Sequence, residues 1–186
     1  IANCAEILGI ETVSQAMQHA DIHALFRKIT LQEIAPHVPH VPDMSPTQYI
    51  DLVEGRFSNT AIVDTIQRVA FDGSSRHPGF VLPTVRDALA MGASVEGLAL
   101  VQAAWARMCA GVREDGTLIA PNDPFWDALV ASADEARALP QRWLAQEHLY
   151  GDLAQDPVFA NAFGKWLEMI YQNGIVDTIQ HYVKGD

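Results

Sequence analysis

The sequence predicts an all-α fold, with many helices packed around one core. Three observations support this: apolar residues recur at helical spacing, no stretch shows the recurrent alternation of a half-buried strand, and prolines and glycines stand where the helical stretches end. The chain has 186 residues, 49% hydrophobic and 19% charged, which is typical of a globular domain with a substantial core. From typical helix lengths we expect roughly eight to ten helices.

The first predicted helices have readable starts and stops. One begins near Asp21 and ends before the four prolines of "PHVPHVPDMSP". The next begins at Ser45, a good N-cap, with Pro46 in the first helical position, where its missing N–H costs nothing. Apolar residues follow helical spacing in this second helix: Tyr49, Leu52, Val53 and Phe57.

Two later stretches predict helices that bury an apolar stripe in a shared core. The first stripe, with one polar exception at Gln102, comprises Val95, Leu98, Val101, Gln102, Trp105, Met108, Cys109 and Val112. The second stripe comprises Phe159, Phe163, Trp166, Leu167 and Ile170. Between them "REDGTLIAPNDP" predicts a loop, with a turn at Asp115-Gly116 and short extended arms, and Gly151 and Gly174 mark further helix ends.

Composition excludes several classes of function. The net charge of −11 argues against a nucleic-acid-binding surface and against docking on an anionic membrane. No apolar run has the length that spans a bilayer. Cys4 and Cys109 form no CxxC pair, which fits a reducing compartment, and we expect the cytoplasm. The chain opens without a signal peptide, and we expect that it begins inside a longer protein.

The short motifs that would indicate a cofactor or metal site are absent or weak. Neither GxGxxG, nor a P-loop, nor a nucleophile elbow is present, so binding of nucleotide phosphate by a glycine-rich turn is not expected. His19 and His23 are four apart and would share a helix face, but no third ligand is evident, so we predict a solvated face. His37 and His40 receive the same interpretation, and we expect no metal.

The stretch "RVAFDGSSRH", residues 68–77, concentrates charged and turn-forming residues behind a helical run, and it allows two interpretations. In the first, Arg68 pairs with Asp72 four positions on, and the aspartate and the next glycine make a turn. Arg76 and His77 then lie in solvent before the next element begins. Composition alone favours this first interpretation.

In the second interpretation the same stretch binds a ligand. The helix ends at Phe71, and the turn folds Arg76 back toward Arg68. The two guanidiniums, with Ser74 or Ser75 nearby, then form a cradle for hydroxyl groups or a carboxylate. Arginine suits this role because its planar fork of donors is always charged.

The segment "GRFSNTAIVDTIQRVAFDGSSRHPGFVLPT", residues 55–84, resembles the C-terminal domain of the mannitol dehydrogenase family. This family of long-chain polyol dehydrogenases includes mannitol 2-dehydrogenase and fructuronate reductase (mannonate oxidoreductase). Other segments share the resemblance: "ILGIETVSQAM", "EIAPHVPHVP", "LALVQAAWARMCAGVREDGTLIAPNDP" and "FGKWLEMIYQNGIVDTI". The resemblance thus covers essentially the whole chain, and it implies a helical C-terminal domain like that of 6-phosphogluconate dehydrogenase.

The resemblance implies an NAD(P)-dependent oxidoreductase that interconverts a sugar alcohol or sugar acid and its keto form. In the family an N-terminal dinucleotide-binding domain carries the cofactor, NAD or NADP, and the catalytic residues follow a Lys-x4-Asn-x2-His pattern. That pattern is expected just upstream of Ile1, so we expect no catalytic residue in this chain and no catalysis by it alone. Residues 1–186 would then form the substrate-binding domain.

The resemblance also assigns the site. The family's arginine before the DGS turn, and a basic residue eight positions later, reach the substrate oxygens, and they correspond to Arg68 and Arg76. Asp72 and Ser75 belong to the same implied site, where Asp72 would orient Arg68 or cap the turn. The second basic position is commonly lysine, so Arg76 favours a sugar acid, whose carboxylate arginine grips with two bonds. The alternative function is a stand-alone helical interaction module without catalytic activity.

Overall fold

Helices form the fold throughout the part of the chain that the computed structural model describes, residues 1–39 and 41–185. The α-helices, in chain order, are α1 (Ala2–Ile7), α2 (Val13–Gln18), α3 (Ala20–Ile29), α4 (Pro46–Phe57), α5 (Ile66–Ala70), α6 (Gly73–Arg76), α7 (Leu82–Ala90), α8 (Glu96–Met108), α9 (Trp126–Ala138), α10 (Gln141–Leu144), α11 (Glu147–Tyr150), α12 (Pro157–Asn173) and α13 (Ile175–Lys184). Thr30–Ile34 and His77–Val81 are π-helical, and Ala35–His37 and Gly151–Gln155 are 3-10 helical.

The all-α prediction is confirmed, but the expected helix number was too low. The described residues contain thirteen α-helices, of which six have only four to six residues: α1, α2, α5, α6, α10 and α11. A helix of one turn or little more contains too few apolar positions to show a period of 3.6 residues. Periodicity therefore detects the long helices and misses the short ones. No helix within residues 1–39 and 41–185 combines the length and the apolar character needed to cross a membrane.

Helix α8 lies at the centre of the core. Of its thirteen residues only Glu96 and Arg107 are not buried, and α12, α1, α13, α3 and α9 pack around it. Both predicted core stripes are confirmed, except that Val112 lies beyond the end of α8 and is 36% exposed. The polar exception, Gln102, is fully buried. A buried amide must find hydrogen-bond partners in the core, and those partners lead to the candidate site.

A carboxylate from a distant part of the chain caps the N-terminus of α8. Glu33 is 3% exposed, and its Oε1 and Oε2 accept hydrogen bonds from the backbone N–H groups of Gly97 (2.8 Å) and Leu98 (2.9 Å). The hydroxyl of Tyr182 also donates to Oε1 at 2.8 Å, and burial together with this carboxylate raises the pKa of Tyr182. Glu33 thus supplies the cap that the residue preceding α8 does not provide.

Helix α4 begins as predicted but faces differently from a core helix. Ser45 and Gln48 form a reciprocal capping box, with Pro46 in the first helical position. Of the apolar residues on the predicted stripe, Tyr49 is 48% and Leu52 60% exposed. The only buried residue of the helix is Ile50. The pattern therefore predicted the helix correctly, but the described chain leaves Tyr49 and Leu52 largely uncovered.

The loop between α8 and α9 contains the predicted turn with short extended arms. Val112 and Leu118 form an isolated antiparallel bridge. Between them Asp115 Oδ1 accepts hydrogen bonds from the N–H and the hydroxyl of Thr117, at 2.9 and 2.6 Å. Gly116 has a φ of +85°, a left-handed conformation that a residue with a side chain rarely adopts. The turn prediction is confirmed, and so are the helix ends at Gly151 and Gly174.

Candidate functional site

The stretch 68–77 forms a sharp corner between α5 and α6, and we refer to these residues as the corner. Helix α5 ends at Ala70, one residue before the predicted end, and Phe71 is extended. Asp72 follows in the left-handed conformation, with φ 60° and ψ 48°. Its N–H donates to the carbonyl of Asn122 at 2.8 Å, and its carbonyl accepts from the N–H of Arg76 at 3.0 Å. The extended Phe71 and the left-handed Asp72 thus separate α5 from α6.

The two arginines of the corner are exposed, and both guanidiniums lie at α5. Arg68 donates from Nε, at 2.6 Å, and from Nη2 to the carboxylate of Asp64, which lowers the pKa of Asp64. Arg76 Nη1 lies 3.4 Å from the carbonyl oxygen of Val69, so Arg76 does fold back onto the helix that carries Arg68. The predicted Arg68–Asp72 pair is wrong, because α5 ends before Asp72 and the i, i+4 spacing is no longer helical there.

Of the other two predicted residues, Ser75 is exposed and Asp72 half-buried. The structure gives the Ser75 side chain no hydrogen-bond partner within the described ranges, so this hydroxyl can bind a ligand. Asp72 caps α6 with its backbone carbonyl rather than its carboxylate, and it does not orient Arg68. Its Oδ1 is buried without a hydrogen-bond partner among the described residues.

Residues of the loop between α8 and α9, for which the sequence predicted only a turn with extended arms, hold the corner in place. Ser74 is buried, and its N–H and hydroxyl both donate to the carboxylate of Asp123 at 2.8 Å. Asn122 accepts from the backbone of Asp72, as described above. Sequence reasoning missed both loop residues because they lie about fifty positions from the corner, and no spacing rule links them.

His77 is buried, which the solvent-exposed interpretation did not predict. Its ring stacks on Trp105, with centroids 4.1 Å apart and planes 7° from parallel. Trp105 in turn meets Trp143 edge-on at 5.1 Å. Gly73 lies against the same indole, and a Cβ on this glycine would lie only 2.5 Å from Trp105 Nε1. Stacking and close contact fix the position of α6, and α6 carries Arg76.

A chain of buried hydrogen bonds runs from Trp143 to the first turn of α1 through His77. The indole N–H of Trp143, which can only donate, lies 2.7 Å from the hydroxyl of Tyr150, which donates to Gln102 Oε1 at 3.0 Å. Gln102 Nε2 lies 2.7 Å from His77 Nδ1, which must then accept. The proton of the neutral ring is therefore on Nε2, which lies 3.2 Å from Asn3 Nδ2; a half-turn of this side-chain amide would present its oxygen as the acceptor.

This arrangement keeps His77 neutral. Burial lowers the pKa of His77 from 6.5 to about 3. Gln102 already donates to Nδ1, so a second ring proton would face another donor. The neutral ring thus ties the corner to α1, which carries Asn3, and to α8, which carries Gln102.

The stability of the domain should depend on pH through His77. Because the folded-state pKa is depressed, the unfolded chain takes up the proton first as the pH falls. The stability contribution is complete above about pH 6.5 and is lost toward pH 3, by about 1.4 kcal/mol per pH unit. Urea unfolding of the wild type and of His77→Phe, measured from pH 7 to pH 4, should show a shallower slope for the variant. His148→Gln, at an exposed position, is the control. Equal slopes for wild type and His77→Phe would contradict the prediction.

Among the described residues, His19 and His23 do not share a helix face as the sequence predicted. His19 lies between α2 and α3 rather than on a shared helix face, and His23 Nε2 lies 2.9 Å from Glu54 Oε1. Among residues 1–39 and 41–185, no group of three His, Cys, Asp or Glu side chains could hold a metal ion. His40 lies outside the described residues.

Comparisons with known proteins connect this geometry to one family. A profile of the family described as "Mannitol dehydrogenase C-terminal domain" matches residues 1–171. Mannitol 2-dehydrogenase of Cereibacter sphaeroides is 42% identical over 183 residues, covering 98% of this chain and 38% of the relative. The homologous enzyme of Aspergillus niger is 27% identical over 179 residues, covering 96% and 37%. The chain thus spans less than two fifths of the length of these relatives.

Solved structures show the same relationship. The mannitol 2-dehydrogenase of Pseudomonas fluorescens, in a ternary complex with NAD and D-mannitol, superposes with a TM-score of 0.94 at 30% identity. The superposition covers 100% of this chain and 38% of the Pseudomonas chain. A D-sorbitol dehydrogenase in substrate-free form shares the fold, with a TM-score of 0.77 at 22% identity. That superposition covers 96% of this chain and 37% of the sorbitol dehydrogenase chain.

Proposed function

The chain belongs to the mannitol dehydrogenase family, as its C-terminal domain, and from this premise we propose that it binds the substrate of a nicotinamide-dependent polyol dehydrogenase. The observation that carries the proposal is the corner: two exposed arginines eight positions apart, held at one helix by a left-handed turn and a buried network. A stand-alone interaction module would not require arginines held in this way. Within the proposed enzyme, residues 1–186 are the substrate-binding domain.

The proposed enzyme has a dinucleotide-binding domain before Ile1, with the catalytic lysine, asparagine and histidine at the junction. The greater length of the relatives supports this arrangement. Asn3 also supports it, because its side chain contacts His77, the neighbour of Arg76, so a segment that enters α1 arrives beside the corner. The described residues offer no glycine-rich phosphate turn, so the cofactor would be held chiefly by the preceding domain. NAD is the first candidate, since the Pseudomonas relative was solved with it.

The mechanism assigns binding and orientation to this chain. The nicotinamide, when bound, accepts a hydride from the secondary alcohol of the substrate. Asp64 occupies Nε and Nη2 of Arg68, which leaves Nη1 to donate to a substrate oxygen. Arg76 and the Ser75 hydroxyl bind neighbouring oxygens, so the reacting carbon is presented in one orientation. Asp64, rather than Asp72, is then the residue that positions Arg68.

Two substrate classes remain to be separated by experiment. Mannitol is the first candidate, because the named relatives are mannitol 2-dehydrogenases. A sugar acid such as mannonate is the second, because the guanidinium of Arg76 can bind a carboxylate with two parallel hydrogen bonds. A substrate panel of mannitol, arabinitol, sorbitol and mannonate, each with NAD and with NADP, tests both. Turnover of mannonate far above mannitol would reverse the order, and no turnover of any of them would refute the proposed function.

Removing the Arg68 guanidinium should impair substrate use without affecting the cofactor. In the full-length enzyme, Arg68→Ala is expected to lower kcat/KM for the polyol by roughly 10- to 100-fold, the loss typical of one charge-assisted hydrogen bond. KM for the cofactor should stay within about twofold, since this chain holds little of it. Steady-state kinetics with each substrate varied in turn make the measurement.

A matched control separates this effect from misfolding. Arg142 is also an exposed arginine beside a carboxylate, with 61% of its side chain exposed against 66% for Arg68, and Arg142→Ala should leave both parameters unchanged. Equal losses for the polyol and the cofactor in Arg68→Ala would indicate a folding defect instead. Arg76→Lys should impair mannonate more than mannitol, because lysine cannot form the paired bonds.

A further inference from the structure

Helix α4 turns charged as well as apolar side chains toward its neighbour, with Ile50 in a small core cluster and Phe57 edge-on to Phe26 of α3. Its carboxylates face the neighbouring helix α3: Asp51 and Glu54 pair with Arg27 at 2.6 and 2.5 Å, and Glu54 also binds His23. A helix on the surface of a completed fold normally turns its charged side to water and its apolar side to the core. Here the ion pairs lie between the helices, while much of the apolar side is uncovered.

The uncovered residues form a defined surface, which we call the α4 face. It comprises the exposed apolar residues of α4 and of the linker that follows it: Tyr49, Leu52, Phe57, Ile62 and Val63. Their exposed fractions run from 39% for Phe57 to 82% for Val63. Tyr49 also lines a groove of about 380 Å³ that opens between α4 and the segment from Thr30 to Ser45 and has mainly apolar side chains in its wall. Grouped apolar exposure of this kind marks a surface that another protein surface covers.

The position of the α4 face indicates what covers it. Ile1 packs against a small core cluster that includes Ile50, and Val53 of α4 packs against the same cluster. At the other end, the linker after α4 leads directly to Thr65, which caps α5 and bonds to the N–H of Arg68. The helix that carries the α4 face is therefore packed, on its buried side, against the residue where the chain enters α1, and its following linker leads to the candidate site.

We propose that the α4 face is the docking surface of the dinucleotide-binding domain that precedes Ile1 in the full-length protein. This inference rests on the proposed function, which requires that domain. A domain that is joined to the chain at Ile1 and brings a nicotinamide to Arg68 must extend past α4. A second copy of this chain is a less suitable occupant, because on this face it would obstruct the approach to the arginines.

Two matched substitutions in the full-length protein test the inference. Leu52→Glu places a charge on the α4 face, and Val158→Glu places the same charge on the first turn of α12. The two positions are 60% and 58% exposed, so neither change should unfold the domain. Hydrogen–deuterium exchange should show faster exchange in the preceding domain for Leu52→Glu alone, with a raised KM for cofactor or polyol. Val63→Glu, at an 82% exposed position, repeats the test if Leu52→Glu fails to fold.

The possible outcomes separate docking from function. If Leu52→Glu and Val63→Glu leave exchange in the preceding domain like that of wild type and Val158→Glu, the inference is overturned. It is also overturned if light scattering shows a wild-type dimer that Leu52→Glu converts into an active monomer, since the occupant is then a second copy. If wild type turns over none of the polyols but Leu52→Glu still accelerates exchange, the docking surface stands and the proposed function fails.

Discussion

Replacing Glu33 by alanine is expected to lower the free energy of unfolding by about 3–5 kcal/mol, because three donors lose their acceptor at once and each buried unsatisfied donor costs about 1–3 kcal/mol. Those donors are the N–H groups of Gly97 and Leu98 and the hydroxyl of Tyr182. The loss falls at the start of α8, around which the core is built, so the whole domain should be affected. Urea denaturation with both variant and wild type at pH 7 gives the difference directly.

Two further variants make the Glu33 prediction specific. Glu33→Gln keeps the shape of the side chain but turns an amide N–H₂ toward a donor. Its free energy of unfolding should therefore lie between those of wild type and Glu33→Ala. Glu168→Ala removes an exposed carboxylate from α12 and should change stability by less than about 0.5 kcal/mol. A loss below about 1 kcal/mol for Glu33→Ala would mean that water replaces the carboxylate as acceptor.

Gly73→Ala is expected to damage both stability and substrate binding. The added Cβ would lie 2.5 Å from Trp105 Nε1 and 2.8 Å from Trp105 Cε2. The indole cannot retreat, since His77 stacks on one face and Trp143 abuts it edge-on. Overpacking of this kind costs about 1–3 kcal/mol. Relief requires that α6 move, which displaces Arg76, so kcat/KM for the polyol in the proposed full-length enzyme should fall along with the melting temperature.

Gly79→Ala provides the matched comparison for Gly73→Ala. Gly79 is exposed, and a Cβ at that position would meet nothing within 4 Å. Its replacement should leave activity and melting temperature near wild type, although Gly79 lies only six residues after Gly73. If Gly73→Ala behaved like Gly79→Ala, the close contact with Trp105 would not be what positions the corner.

Local patterns predicted the parts of this fold that local chemistry determines. The apolar stripes of α8 and α12 depend on periodicity within one helix, and the start of α4 depends on Ser45 and Pro46 beside each other. The turn at Asp115-Gly116 likewise depends on adjacent residues. In each case the residues that form the structure are within a few positions of one another, so the sequence displays them together.

Contacts between distant residues were not predictable in this way. Glu33 caps a helix 64 positions away, Asp123 holds Ser74 across 49 positions, and Gln102 reaches His77 across 25. No spacing rule links such pairs, because the folded core alone brings them together. The candidate arginines came from a family resemblance, whereas the residue that orients Arg68 is Asp64, four positions before it, and not the expected Asp72. The α4 stripe predicted a helix but could not say which surface covers it.

Trp143 stands at one end of the buried hydrogen-bond chain and can only donate, which affects where the protons of the other groups lie. In a row of hydroxyl, amide and imidazole groups, each group can both donate and accept. The donor-to-acceptor direction of the hydrogen bonds can therefore run either way along the row. Trp143 favours one sense, because its indole nitrogen only donates and so leaves the Tyr150 hydroxyl proton for Gln102 Oε1. Through Tyr150 and Gln102, an aromatic residue at the far side of the core thereby favours the tautomer of His77 that carries its proton on Nε2, directly behind Arg76.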